Sequence, residues 1–426
     1  PFFARQAFNL DDSRVLRPLV TFKDGWDASR DAFADLAVKL GMTREEGERA
    51  HDKGLSEYRR FLEAYKALGR ELIEKVKCDP DTIFVALLGR PYHAFTRDAN
   101  MGIPRKFISQ GVTVIPFDMI YEPDAEIFPN MYWYYGQQDM KAVRKIASIP
   151  NLYPTWISNV SCAPDSFMLH YLRWMMGQKP YLVLEIDSHS ADAGIDTRIE
   201  AFLDIVESYR RHVSPQQEER FERRYSIALK DEYCDIVDGK TGERFDIRDP
   251  RVRLILPSMG DLSTEAMAAA CSRQGIHTEH LPLPDIQSTQ LARNVASGKE
   301  CIPALLVLGS ILQFFQTHSP DSGDDIYLVF VPATLGPCRT GQYCVFFDRL
   351  FEELGWEKVV LLVSNSENSY RELGATFNRD VWRALVLGDY FTDVRNSLRL
   401  LARDPGAAMA LFETVWRGVV RAFRCG

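Results

Sequence analysis

The apolar positions change period several times along the chain, and each change marks an element. From Thr43 almost to Lys77, Leu55, Tyr58, Phe61, Leu62, Tyr65 and Leu68 recur at the spacing of one helix face. Thr43 followed by Glu46 fits a capping box at the start of that helix. Residues 1–43 read as short apolar runs mixed with turns. After the helix, Thr82–Leu88 is a continuous apolar run, the pattern of a strand buried on both faces. Helices at Ile103–Gln110, Asp139–Ala147, Ser166–Met176 and Thr197–Tyr209 then alternate with strands at Val112–Phe117, Thr155–Asn159 and Tyr181–Ile186. Residues 211–250 are charged and turn-rich and read as a connection. Beyond it the style repeats, with strands at Val252–Leu256, His277–Leu281, Tyr327–Pro332 and Lys358–Ser364. The helices there are Ser263–Arg273, two before Tyr327 of which the second begins near Cys301, then Tyr343–Leu354 and a mainly helical end.

Strands alternating with helices predict an α/β fold with largely parallel sheets and right-handed crossovers. The expected division is a helical lead-in over 1–79, a first lobe over 80–215, a connection over 216–250 and a second lobe with C-terminal helices over 251–426. A length of 426 residues agrees with more than one core. The chain begins at Pro1, without a Met and in mid-pattern, as a piece of a longer polypeptide would.

Charge removes some function classes. The net charge is −8 and is spread along the chain, which argues against non-specific nucleic-acid binding. The longest apolar stretch, Cys301 to Phe315, is too short to span a bilayer and carries Ser310 and Gln313. With no signal peptide in view, the expectation is a cytoplasmic protein, not a membrane one. The eight cysteines then read as reduced thiols or metal ligands.

Three cysteines share one context. Cys301 lies in Ser297-Gly-Lys-Glu-Cys-Ile-Pro303, where Gly298 stops one helix and Pro303 suits the first turn of the next. Cys338 lies in Gly336-Pro-Cys-Arg-Thr-Gly-Gln342, between a strand and a helix, beside the positive Arg339. Cys162 lies in Asn159-Val-Ser-Cys-Ala-Pro-Asp165, again between a strand and a helix. A lone free cysteine is more often a small buried apolar residue than a ligand. Three at helix starts behind strands are another matter, because open α/β sheets collect ligands outside the carboxyl ends of their strands. Thiolates converging there suit a soft metal or an iron–sulfur cluster. Cys344, six residues past Cys338, is the reserve ligand and is expected to face the core. Cys78, Cys234, Cys271 and Cys425 fit no such pattern. His277 and His280 point to opposite faces of a strand, and Gly260-Asp261 lacks a phosphate-binding fingerprint.

Several longer motifs carry a resemblance. Gly89-Arg-Pro-Tyr-His93, the stretch from Asp98 through Asn100 to Ile103-Pro104, and Val114-Ile-Pro-Phe-Asp118 resemble the 2-hydroxyacyl-CoA dehydratase subunits. The runs Tyr153 to Phe167, Glu185 to Gly194, Gly298 to Cys301 and Gly336 to Tyr343 are similar to the C-terminal part of acyl-CoA dehydratase activase-related proteins. The resemblance covers most of residues 80–350. It implies two stacked flavodoxin-like, Rossmann-like lobes with additional helices. It also implies a 4Fe-4S cluster on Cys162, Cys301 and Cys338 with one iron left open. In a related branch two such cubanes join as an 8Fe-9S double-cubane cluster, which here would need Cys344, a partner chain or upstream sequence. The implied partner is an ATP-dependent activase, in trans or fused upstream, that injects a low-potential electron. No ATPase module lies within this chain, a departure from the activase-related pattern.

The expected function is therefore low-potential electron transfer in anaerobic metabolism. The protein would be an iron–sulfur reductase or a 2-hydroxyacyl-CoA dehydratase-like lyase acting on an acyl-CoA or another small molecule, as a single chain or a homodimer. Arg90, Tyr92 and Arg339 are candidate cofactor-pocket residues, and Glu300, His93 and His189 candidate proton carriers. Plainer readings stand beside these: Arg90 and His93 as polar residues closing a strand end, Asp187, His189 and Asp192 as a capped loop, and Glu300 as part of a solvated helix start. Two further function classes remain: a non-catalytic activase-docking or scaffold module with structural cysteines, and an α/β ligand-binding protein without a cluster.

Overall fold

The computed structural model describes residues 2–11, 15–22, 25–122, 131–212, 223–229, 234–320, 323–334, 336, 338–365 and 374–425. The N-terminal part holds α1 (Phe2–Ala7), α2 (Arg30–Lys39) and the long α3 (Arg44–Cys78). Thr43 caps α3 as the spacing predicts, with both bonds of the capping box made between Thr43 and Glu46. Residues 1–43 are more helical than expected. The α2 helix owes its stability to packing, since Gly47 of α3 lets Ala34 and Ala37 approach so closely that a Cβ there would lie 2.6 Å from that of Ala37. Such tertiary support leaves little trace in the local pattern.

The first lobe is built from β1 (Phe84–Leu88), α4 (Pro91–Ala94), α5 (Ile103–Ser109), β2 (Thr113–Pro116), α6 (Phe117–Ile120), α7 (Tyr134–Ala147), β3 (Leu152–Asn159), α8 (Asp165–Met176), β4 (Leu182–Ile186) and α9 (Asp192–His212). Its four strands are all parallel, in the order β2-β1-β3-β4. The fully buried β1 divides its side chains by the period of two: Phe84, Ala86 and Leu88 enter the core on one face, Val85 and Leu87 the core on the other. Each large apolar side chain so buried stabilises the fold by roughly 1.5–3 kcal/mol. Gly69 joins α3 to this lobe, since a Cβ there would meet the Met119 carbonyl at 2.2 Å.

The charged stretch after α9 is more than a connection. It carries β5 (Tyr225–Leu229), β6 (Cys234–Asp238) and β7 (Arg244–Asp246), an antiparallel sheet of three short strands. Its β6–β7 turn is organised by Asp238, which accepts from the backbone N–H groups of Lys240 and Thr241 and pairs with Arg224. Charged side chains on such short strands mask the alternation. Residues 213–222 and 230–233 of the expected connection lie outside the described residues.

The second lobe comprises β8 (Val252–Leu256), α10 (Asp261–Arg273), β9 (Thr278–His280), α11 (Ile286–Val295), α12 (Ile302–Thr317), β10 (Ile326–Ala333), α13 (Tyr343–Glu353) and β11 (Val359–Asn365). Its strands are parallel in the order β11-β10-β8-β9. Counted from the first strand of each lobe, both sheets have the order 2-1-3-4, the first four strands of the flavodoxin-like arrangement. Helices α14 (Ala375–Leu401) and α15 (Pro405–Cys425) cover α10, where Trp416 and Phe412 join the core. The α/β expectation, with two mostly parallel sheets among many helices, therefore holds. Among the described residues no helix is long and apolar enough to cross a membrane.

Candidate functional site

In sheets of this order the strand sequence reverses between the first and third strands, and a crevice opens at their carboxyl ends. In lobe 1 the crevice lies beyond β1, which runs into Gly89 and Arg90, and β3, which runs into Cys162. In lobe 2 the third strand, β10, runs into Cys338. Cys301 reaches the same edge by another route. It is the N-cap of α12, which precedes β10 and returns antiparallel to it, so the helix start lies at the strand ends.

Backbone geometry sharpens these turns. Gly89 has φ +121°, and a Cβ on it would lie 2.3 Å from the Ile157 carbonyl oxygen, so only glycine lets β1 end against β3. Ser161, just before Cys162, has φ 63°, a left-handed conformation uncommon outside glycine and frequent at functional turns. Gly341 lies so close to lobe 1 that a Cβ would meet Tyr132 at 2.6 Å.

One side chain joins the three cysteine-bearing segments. The Arg339 guanidinium, next to Cys338, donates to the Ser166 hydroxyl on the helix behind Cys162 (3.0 Å). It also donates to the carbonyl of Lys299, two residues before Cys301 (3.4 Å). Tyr343 adds a second tie. Its hydroxyl lies 2.8 Å from the Cys301 sulfur and its ring stacks on Phe167 of α8 at 5.7 Å. Burial, and then the Cys301 thiol, push the Tyr343 phenol well above its ordinary range. Lys299 pairs across the lobes with Glu185 of β4 at 2.8 Å, and Tyr132 donates to the Cys338 carbonyl at 2.5 Å.

The thiols differ in electrostatic setting. Cys338 is exposed and its pKa is lowered by hydrogen bonds from the Thr340 side chain and backbone, with the Arg339 charge adding to the effect. Cys162 is half-buried, and burial followed by the nearby Asp165 charge pushes its pKa up. Arg90 opposes that shift, and its guanidinium lies 3.8 Å from Asp165 and 2.9 Å from the Tyr92 hydroxyl. Cys344 is buried in the lobe 2 core with its sulfur 3.6 Å from the Gly341 carbonyl.

Glu300 sits deeper than a solvated helix start. Its carboxylate accepts from the backbone N–H groups of Ser297, Gly298 and Lys299, from the Ser297 hydroxyl, and pairs with His170 of α8. Burial alone would raise its pKa, but the bonds from His170 and Ser297 prevail and hold it down to about 2. The His170 ring stacks on Phe346 of α13 at 4.0 Å, so this pair touches the elements behind all three cysteines. Nothing in the sequence reading singled out His170. The available signal was an ionisable residue within the apolar run Phe167 to Leu172, which calls for a buried partner.

The remaining candidates lie further out. His93 lies in the short α4, half-buried, with its pKa lowered by burial. His189 is exposed on a turn that Asp187 organises, accepting from the His189 backbone N–H and the Ser190 hydroxyl. Asp192 opens α9, which begins before the expected Thr197, and pairs with Lys106.

Among the described residues no group of three or more His, Cys, Asp or Glu side chains is gathered as the shell of a metal ion. A cubane takes its thiolates on different irons, so its ligands stand wider apart than those of one ion. Three thiols on loops that share one set of tying residues, flanked by Arg90 and Arg339, supply the donor type that a cubane takes.

No curated protein and no solved structure matches the chain. A domain family does match over residues 1–120, from the N-terminal helices through β2 and α6, and so over the Gly89–His93 and Val114–Asp118 motifs; the three cysteines lie beyond it. That family is described as the CoA enzyme activase uncharacterised domain, and the match fits the acyl-CoA dehydratase activase-related family.

Proposed function

We propose that the protein is a low-potential iron–sulfur redox protein of the 2-hydroxyacyl-CoA dehydratase type, working in the cytoplasm with an ATP-dependent activase. The observation that carries the reading is the Arg339 side chain, which binds the Cys162 helix and the Cys301 loop from its place beside Cys338. Cys162, Cys301 and Cys338 would hold a 4Fe-4S cluster, with Cys344 in reserve for a larger one. Such a cluster, when bound, supplies one-electron transfer at low potential and a Lewis-acidic position at an iron without thiolate.

The chain's own residues do the rest. Arg90 and Arg339 offset the negative charge that three thiolates bring to one crevice. The Tyr343 hydroxyl, 2.8 Å from the Cys301 sulfur, would donate to a thiolate there and moderate its charge. Glu300 and His170 fix the loop that carries Cys301, so Glu300 acts as a positioning residue. His93, just beyond β1 at the crevice, is the better placed of the two histidine proton carriers.

Anaerobic purification with iron and sulfide quantitation, followed by electron paramagnetic resonance of the reduced protein, tests this reading. About four irons and four sulfides per chain are expected. An iron-free, colourless protein from anaerobically grown cells sinks the proposal and leaves a non-catalytic activase-docking module. Cys301→Ser should lower the iron content and alter the resonance; an unchanged cluster removes Cys301 as a ligand.

A further inference from the structure

Two of the three candidate ligand sulfurs each have a side-chain hydroxyl beside them. The Tyr343 hydroxyl lies 2.8 Å from Cys301 Sγ, and the Thr340 hydroxyl lies 3.1 Å from Cys338 Sγ. Both come from one short stretch, the turn Arg339–Gln342 and the first residue of α13 that follows it. The Thr340 hydroxyl also reaches the Tyr343 phenol, so the pair forms one polar seam between the two sulfurs. Packing fixes the Tyr343 end of that seam. Tyr343 is 5% exposed, and its ring stacks on Phe167 at 5.7 Å and lies against Phe347 at 5.9 Å.

Cys162 has a different setting. Among the described residues no side-chain hydroxyl bonds its sulfur. Its polar neighbours are the Asp165 backbone N–H, the Asp165 carboxylate and the Arg90 guanidinium. Asp165 is 5% exposed and is held by the Ser158 hydroxyl at 2.5 Å, so solvent screens its negative charge little. The two lobes thus present opposite electrostatics to the crevice: hydroxyl donors from lobe 2, a fixed carboxylate from lobe 1.

A thiolate sulfur has no proton, so a neighbouring hydroxyl turns its own proton toward it. Such a donor draws charge from the sulfur and favours the electron-rich state of a cluster, whereas a nearby carboxylate disfavours that state. Resting on the iron–sulfur reading of this crevice, we propose that Tyr343 and Thr340 set its reduction potential: their hydroxyls stabilise the reduced cluster from lobe 2, and Asp165 opposes them from lobe 1. One electron enters from the reductant, no bond breaks, and both hydroxyl protons stay on oxygen. Tyr343, Thr340 and Asp165 are therefore tuning residues that act through the thiolates.

The test is an anaerobic redox titration of the full chain with titanium(III) citrate, followed by electron paramagnetic resonance, with iron quantitation of every sample. Tyr343→Phe keeps the ring and its stacking and removes only the hydroxyl. It should retain its iron and show a tenfold lower ratio of reduced to oxidised cluster at the parent's midpoint, a fall of about 59 mV for one electron. Thr340→Val should shift the midpoint in the same direction by less, because Cys338 is exposed and water can replace the lost donor. Asp165→Asn should shift it the opposite way. Iron-bearing Tyr343→Phe and Thr340→Val proteins with the parent's midpoint overturn the proposal, and so does a fall in Asp165→Asn. If Tyr343→Phe sheds its iron, the signs in Thr340→Val and Asp165→Asn decide. A parent without iron overturns the iron–sulfur reading itself, so the two failures are distinct.

Discussion

At the scale of single residues, buried polar groups carry most of the information. Asp139 of α7 is buried, and its carboxyl accepts from the Gly89 backbone N–H at 3.1 Å, at the turn where β1 opens onto the crevice. Burial pushes its pKa well above the ordinary carboxylate range. A carboxyl with a raised folded pKa loses stabilisation as pH rises above its unfolded value, because the folded state then resists ionisation. Asp139→Asn keeps an acceptor for Gly89 without that cost. The variant should match the parent in thermal denaturation near pH 4 and become relatively more stable as pH rises toward 8. A gap of opposite sign would mean that the charged carboxylate is needed. Such groups were only partly legible in the sequence. Context singled out the three cysteines as candidates, whereas His170 and Asp139 gain meaning only from Glu300 and Gly89, which lie far off in the chain.

At the scale of elements, the pattern of apolar positions located most strands and helices to within a few residues. The α3 cap at Thr43 and the strand Val252–Leu256 agree with the structure as read. The misses have a common cause. The α2 helix and the three-stranded β5–β7 sheet are short and charged, and they are stabilised by partners the local sequence does not name, such as Gly47 for α2 and Arg224 for Asp238. Close approach between elements is also invisible to periodicity. Gly309 of α12 is the clearest case, since a Cβ there would lie 1.9 Å from the Ser288 carbonyl of α11. Gly309→Ala must push the two helices apart. Despite alanine's better helix propensity it should destabilise the protein by about 1–3 kcal/mol in chemical denaturation, the usual range for overpacking. A neutral or stabilising result would show that α11 yields freely.

At the scale of the whole molecule, the lobes are coupled through a small set of polar ties: Arg339 to Ser166, Lys299 to Glu185, Tyr171 to Gln342 and His170 to Glu300. Hydrogen bonds to charged groups contribute about 1.5–3 kcal/mol each. Arg339→Leu should therefore loosen the lobes against each other by about 2 kcal/mol. Calorimetry is expected to resolve two unfolding transitions where the parent has one, and iron retained after anaerobic gel filtration should fall. A single transition with full iron retention would mean that the other ties suffice.

The shared strand order relates the two lobes by a topological symmetry. With both sheets ordered 2-1-3-4, Cys162 and Cys338 occupy the same topological position, each following the third strand of its lobe. The helix before that third strand begins at Cys301 in lobe 2 and at Trp133 in lobe 1, since these are the N-caps of α12 and α7. Cys301 and Trp133 are thus counterparts, and Trp133 packs against cores of both lobes. A duplicated fold would offer four equivalent corners; this chain has thiols at three and an indole at the fourth. On the proposed reading, that broken equivalence is why one iron would be left without a protein thiolate and open to substrate.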